Sequence, residues 1–259
     1  MSTQITTEQV KELRDKTGIS VMQCKRALEE ASGDMNKALA ILKKTSSEIA
    51  LKKADRSLNS GAVMVKSEGK NTALVGLLCE TDFVSKNDDF TSLLSNLTDK
   101  VLTEGVEKMK EASKDLIDPI IQKTGENIGL GDVFLVTGDV VGNYVHNGKI
   151  AIVVSLEGGN EELARDIAMH TAAMKPEYIT EAEIGDEIKN TMLEIFQKEV
   201  ASINKPEDIK KKMLDGKIGT YFKEKTLISQ PFIKNGDETV GQLLEKNKAK
   251  IKEIKRYSI

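Results

Sequence analysis

The hydrophobic period of this chain changes repeatedly along its length, and no purely helical or purely stranded fold accommodates those changes. Apolar residues recur at helical spacing up to about residue 45, then run as short strands over Ala62-Val63-Met64-Val65 and Ala73-Leu74-Val75-Gly76-Leu77-Leu78-Cys79. Helical spacing returns at Phe90, Leu93, Leu94, Leu97 and Val101. The same order then repeats. Asp132–Val136 and Val140–His146 are extended, Asn147-Gly148 is a hairpin signal, Lys149–Leu156 is the return strand, and Leu163, Ile167, His170 and Met174 mark a helix stopped by Pro176. The pattern predicts an α+β fold with a duplicated core of antiparallel hairpins packed with helices. Its halves span 61–139 and 140–180.

Local signals mark out the flanking segments. Thr6-Thr7-Glu8-Gln9 is a capping-box pattern, Ser20-Val21-Met22-Gln23 repeats the start signal, and Asp34 can cap a third helix carrying Met35, Leu39 and Leu42. Residues 1–45 therefore read as a three-helix module with a thin core, and the polar, basic stretch 46–60 as a linker. After Glu181 the stripe Ile184, Ile188, Met192, Ile195 and a second start at Asn204-Lys205-Pro206-Glu207 predict two closely joined helices. Over 181–224 they form a protruding antiparallel helical hairpin. Residues 225–259 return to the core through a short helix at Thr239–Lys248 and a final strand at Lys250–Tyr257.

Composition narrows the function. Lys+Arg 38 against Asp+Glu 41 leaves a net charge of -3, which offers no general field to nucleic acid or an anionic membrane. Aromatics are 4% and tryptophan is absent, so base-stacking platforms are not expected. Met1–Ile5 carries no secretory pattern, no apolar run nears the roughly 20 residues that span a bilayer, and Cys24 and Cys79 lie far apart; a cytoplasmic protein is expected. His146 and His170 are the only histidines and give no zinc spacing. Gly142…Gly148-Lys149 has one residue too many for a phosphate loop and Ile150 where a hydroxyl would bind magnesium. No catalytic constellation is legible, and no enzyme, cofactor or metal site is expected.

One segment stands apart. Glu80-Thr81-Asp82-Phe83-Val84-Ser85-Lys86-Asn87 joins a buried strand to an amphipathic helix. Phe83 either packs beneath this loop or is presented, with Asp82, to a partner.

Ordered signatures favour the second reading. Val10-Lys11-Glu12-Leu13-Arg14, Thr17-Gly18 and Met22-Gln23-Cys24-Lys25-Arg26-Ala27-Leu28, then Cys79-Glu80-Thr81-Asp82-Phe83-Val84, resemble the opening signatures of the elongation factor Ts family. Ile167-Ala168-Met169-His170 with Lys175-Pro176-Glu177-Tyr178, Gln230-Pro231-Phe232 and Thr239-Val240-Gly241-Gln242-Leu243-Leu244 resemble the later ones. The resemblance implies a ubiquitin-associated-like N-terminal module and a guanine nucleotide exchange factor for elongation factor Tu. It implies binding to the GDP form and to the nucleotide-free form, as simple pairs or two-to-two complexes, with no direct nucleic-acid or membrane partner. Thr81, Asp82, Phe83 and Val84 would intrude beside the partner's magnesium site. Lys11, Arg14, Val21, Met22 and His146 would supply other contacts, although Val21 and Met22 fit a core equally well and His170 reads as structural. Val145 and Asn147 depart from the family pattern around His146, and the sequence stops at Ile259 without the longer tail of some members. The rival readings are a nucleic-acid adaptor and a hydrolase or transferase built on scattered carboxylates; neither accounts for the ordered signatures.

Overall fold

The computed structural model describes residues 5–259, so the reading made on Met1–Gln4 lies outside the described residues. The chain is mixed α+β and divides into two compact units: residues 1–137, 145–151 and 255–259 form the first, and 138–144 with 152–254 the second.

The first unit opens with α1 (Thr7–Thr17), α2 (Val21–Glu30) and α3 (Met35–Lys53). The expected caps form: Thr6 and Gln9 make a reciprocal box, Ser20 accepts from the Gln23 N–H, and Asp34 accepts from the N–H groups of Asn36 and Lys37. Leu13, Cys24, Leu28, Ala38 and Leu42 fill the small core between these helices. The structure departs from the sequence reading after residue 45, because α3 continues to Lys53 where a linker was expected. Its small residues Ser46 and Ala50 are buried, Ser46 bonding Gln122 and Ser47 donating to Asp118 Oδ2 at 2.6 Å. Of the basic residues that suggested a linker, Lys52 is exposed on the last turn of the helix, Lys53 reaches the Gly125 carbonyl, and Arg56 lies just beyond the helix end.

Strands β1 (Ser60–Glu68), β2 (Asn71–Cys79) and β3 (Ile128–Thr137) form an antiparallel sheet in the order β1-β2-β3. The expected turn pairs Glu68 with Asn71. β3 runs longer than the Asp132–Val136 read from sequence and completes this first sheet. Helices α4 (Asp82–Ser85), α5 (Asp88–Glu104) and α6 (Val106–Thr124) separate β2 from β3. Ala73, Val75, Leu77 and Cys79 of β2 share a core with Phe90, Leu94 and Leu97 of α5 and Met109, Ile117 and Ile121 of α6. β2 is thus an unbroken apolar run because it is the central strand. Near its middle, the Tyr257 ring occupies the space that a Cβ on Gly76 or Gly131 would need, so only glycine fits at either position.

In the second unit, β4 (Val140–His146), β5 (Ile150–Glu157) and β8 (Lys250–Ser258) form a sheet in the order β4-β5-β8; the turn end of β4 and β5 and the last residues of β8 are counted with the first unit. Helix α7 (Glu161–Met174) buries Leu163, Ile167 and His170, while Met174 is exposed. Helices α8 (Asp186–Ala201) and α9 (Glu207–Lys225) run antiparallel, linked by Glu199–Lys217 at 2.8 Å and by an edge-to-face pair of Phe196 and Tyr221. Pro206 takes the cap position of α9 without a side-chain bond. Only Val200 of this pair is buried; Ile188, Ile195 and Ile209 are exposed, and Ile184 is buried just before α8 begins. The strands β6 (Pro231–Phe232) and β7 (Asn235–Thr239) lead into α10 (Val240–Lys246), capped by a second reciprocal box between Thr239 and Gln242.

Candidate functional site

β2 ends at Cys79, and two residues later the chain makes one helical turn. Thr81 is extended (φ −124°, ψ 160°) and caps that turn, its Oγ1 accepting from the Val84 N–H at 3.4 Å. Ser85 is buried and donates to the Asp82 carbonyl at 2.9 Å, and Val84 leans on the main core. Phe83 points the other way. It is 83% exposed, so an aromatic ring is displayed on a short, hydrogen-bonded turn and does not pack under the loop. Asp82 is exposed and paired with Lys86 at 2.7 Å. The hydrogen bond and charge of Lys86 hold its carboxyl below the usual range. Beneath the turn, burial and then the Glu126 carboxylate push the Cys79 thiol up to about 11, so this cysteine remains a neutral thiol.

The β4–β5 turn comes to the same end of the first sheet. Asn147 (φ 51°) and Gly148 (φ 64°) take the left-handed geometry of a tight hairpin turn, and the Lys149 N–H donates to the His146 carbonyl at 3.0 Å. The Val63 N–H donates to the Gly148 carbonyl at 2.9 Å, and Lys149 Nζ donates to Ser60 Oγ at 3.1 Å and the Gly61 carbonyl at 2.6 Å. Ser60 is the register partner of Cys79, where the turn carrying Phe83 departs. His146 is exposed at the tip, with Asn147 Nδ2 3.2 Å from its Nε2.

The remaining expected contacts lie on α1 and α2. Lys11 and Arg14 are exposed. Val21 is 52% exposed and Met22 65%, which settles their two readings in favour of surface over core. Gly18, at the corner between α1 and α2, sits against the Lys123 ammonium, which also binds Asp89 at the start of α5 at 2.6 Å. One cation therefore stands beside both the α1–α2 corner and the first turn of α5. Exposed apolar side chains, cations and an acid share one unit, an arrangement suited to gripping a protein surface.

His170, by contrast, is fully buried. The Ile233 N–H donates to its Nδ1 at 3.2 Å, its Nε2 lies 2.9 Å from Gln230 Oε1, and Phe232 stacks on the ring. That pattern requires the neutral ring with the proton on Nε2. Burial lowers its pKa. Among the described residues no group of histidine, cysteine and carboxylate side chains is placed to hold a metal ion, and no helix is long and apolar enough to cross a membrane.

Residues 80–259 match the sequence model of a family described as "Elongation factor TS". The chain is 38% identical to elongation factor Ts of Hahella chejuensis over 98% of its own length and 92% of that protein. It is 37% identical to elongation factor Ts of Thioalkalivibrio sulfidiphilus (98% and 92% covered) and 36% identical to that of Pseudomonas aeruginosa (99% and 91% covered). The chain belongs to the elongation factor Ts family.

These are translation elongation factors, and the match spans both compact units. Sequence reading of this family member missed the lysines that shape the site. Lys86 follows Asp82 by one helical turn, a spacing that signals an ion pair once the turn is known. Lys123 and Lys149 reach the site through long-range packing, for which the chain carries no local signal.

Proposed function

We propose that the chain is the guanine nucleotide exchange factor of elongation factor Tu, working in the cytoplasm. The observation that carries this reading is the display of Phe83 on a capped turn, with Asp82 beside it and Val21 and Met22 exposed in the same unit. The helical module would dock through Lys11, Arg14, Val21 and Met22, the β4–β5 turn would add His146, and Phe83 would enter beside the partner's magnesium and phosphate site. Magnesium demands near-octahedral oxygen ligands at about 2.0–2.1 Å. A wedge that shifts one ligand weakens nucleotide binding, and every 1.4 kcal/mol or so lost is about tenfold in affinity.

Phe83 supplies the apolar bulk of that wedge. Asp82, kept ionised by Lys86, supplies a carboxylate that can take or replace a polar contact in the opened site. Exchange makes and breaks no covalent bond. It needs tight binding to the nucleotide-free partner and weaker binding to the loaded one. By linkage the factor lowers nucleotide affinity by the ratio in which nucleotide lowers the factor's, so incoming GTP displaces it.

The test is release of a fluorescent GDP from the cognate elongation factor Tu in magnesium buffer. Substoichiometric chain should accelerate release. Folded chain that leaves the rate unchanged would sink the proposal.

A further inference from the structure

The turn that carries Phe83 has little apolar anchorage. Ser85 is buried and Val84 is partly covered, but Thr81, Asp82 and Phe83 are all exposed. What fixes the turn is polar and concentrated on its first residue. The Thr81 N–H donates to Glu126 Oε2 at 3.0 Å, and the Thr81 hydroxyl donates to Glu126 Oε1 at 2.6 Å. Its carbonyl accepts from the Cys79 thiol at 3.1 Å. Both oxygens of one carboxylate, 45 residues further along the chain, thus serve a single residue.

The grip is reciprocal. Glu80 accepts the Asn127 N–H at 2.6 Å, so the residue before Thr81 holds the residue after Glu126. Glu80 is also paired with Arg56 at 3.3 Å, and its carboxyl is held below its usual range chiefly by the Asn127 N–H. The Asn127 side-chain amide donates to the carbonyls of Ala54, at 3.3 Å, and Arg56, at 3.0 Å, extending the lattice to the end of α3.

Hydrogen bonds to an ionised acceptor are shorter and stronger than neutral ones, and two from one carboxylate fix direction as well as position. An ordered turn has already lost the conformational freedom that a loose one would surrender on binding. We infer that Glu126, with Glu80 as its reciprocal partner, is a positioning residue for exchange, holding Thr81 so that Phe83 meets the partner already oriented. The inference rests on the exchange reading above and adds a residue that touches neither nucleotide nor magnesium.

The experiment uses the full chain with Glu126→Ala, Glu126→Gln and Phe83→Ala, alone and combined, in the GDP-release assay and in amide hydrogen exchange. Glu126→Ala should lower the maximal release rate about tenfold while the half-saturating concentration moves less than about twofold, because the α1–α2 contacts persist. Glu126→Gln keeps one acceptor oxygen and should fall between; it carries the comparison if the alanine variant melts early. In a Phe83→Ala background, Glu126→Ala should cost little more, since both act through one side chain; losses that multiply would reduce Glu126 to a stabilising role and overturn the inference. Amides from Thr81 to Ser85 should exchange about tenfold faster in Glu126→Ala with β2 and α5 unchanged. Unaltered protection there overturns the positioning role whatever the release assay gives. Folded wild-type chain that fails to accelerate release would overturn the exchange reading, and the amide data alone then decide whether Glu126 orders the turn. Phe83→Ala with wild-type release would leave exchange standing, remove Phe83 as its wedge and overturn the positioning of Phe83 by Glu126.

Discussion

Phe83 and Phe90 are seven residues apart, on successive helices of one unit, and they meet opposite environments. Phe90 is fully buried among Leu93, Leu94, Leu97 and the apolar face of β2, whereas Phe83 is 83% exposed. Helical spacing does not explain the contrast, since each follows a well-capped start: Thr81 for one turn, Asn87 for the other. α5 is long enough to present a complete apolar face, so Phe90 falls on a continuous stripe that the sheet covers. α4 is a single turn that covers only Ser85 and part of Val84, and its one aromatic is left outside. Burial marks a residue that holds the fold. Full exposure of so large a ring, on a turn held by polar bonds, marks one kept for something else.

The largest effect should come from Phe90→Ala. Truncating a buried phenylalanine costs about 3–5 kcal/mol, a large share of the roughly 5–15 kcal/mol typical of a domain; denaturant unfolding should show the midpoint fall, and a loss under about 1 kcal/mol would break the contrast. Phe83→Ala should change stability by no more than about 0.5 kcal/mol. Its cost should appear instead in GDP release, slowed roughly thirtyfold, the equivalent of about 2 kcal/mol expected of an interface anchor. A destabilised Phe83→Ala would return that ring to the core.

A third ring sharpens the comparison from the buried side. His170 accepts from Ile233 at Nδ1, so a proton there would meet a donor as well as a loss of solvation. Because burial sets its folded pKa below the unfolded value, the unfolded chain takes up the proton first. Stability should therefore be complete above about pH 6.5 and decline as pH falls through that value, by at most about 1.4 kcal/mol per pH unit. Unfolding curves from pH 7.5 to 5.5 check it, with His170→Gln expected to flatten the slope. The smallest effect belongs to Ile209 on α9, exposed yet outside the site. Ile209→Ala should alter stability by less than about 0.5 kcal/mol and leave release unchanged; slower release would show that exposure on the helical pair is also functional.

Much of the fold was legible because its signals are local. The Thr6–Gln9 box, the Asp34 cap and the Asn147-Gly148 turn each depend on residues three or fewer apart, and all form. α6 was missed: Pro119 interrupts its sequence pattern, and its buried positions include Ser113 and Asp118 as well as apolar residues. The helical end of α3 was hidden for a related reason, since small Ser46 and Ala50 pack well but carry little hydrophobic signal. Within the site, the motif located Thr81–Val84, but not which way Phe83 faces. The turn that carries it is held at Thr81 by Glu126, 45 residues away, for which the chain has no local signal.

The Tyr257 ring seated over Gly76 and Gly131 also has a consequence in time. β1, β2 and β3 have all been synthesised by Thr137, yet the side chain that fills the glycine-lined hollow of their sheet arrives about 120 residues later. At roughly 5–20 residues per second, that is about 6–24 seconds of synthesis during which the nascent sheet carries an open hollow on one face. The first unit to emerge from the ribosome is thus among the last to be finished.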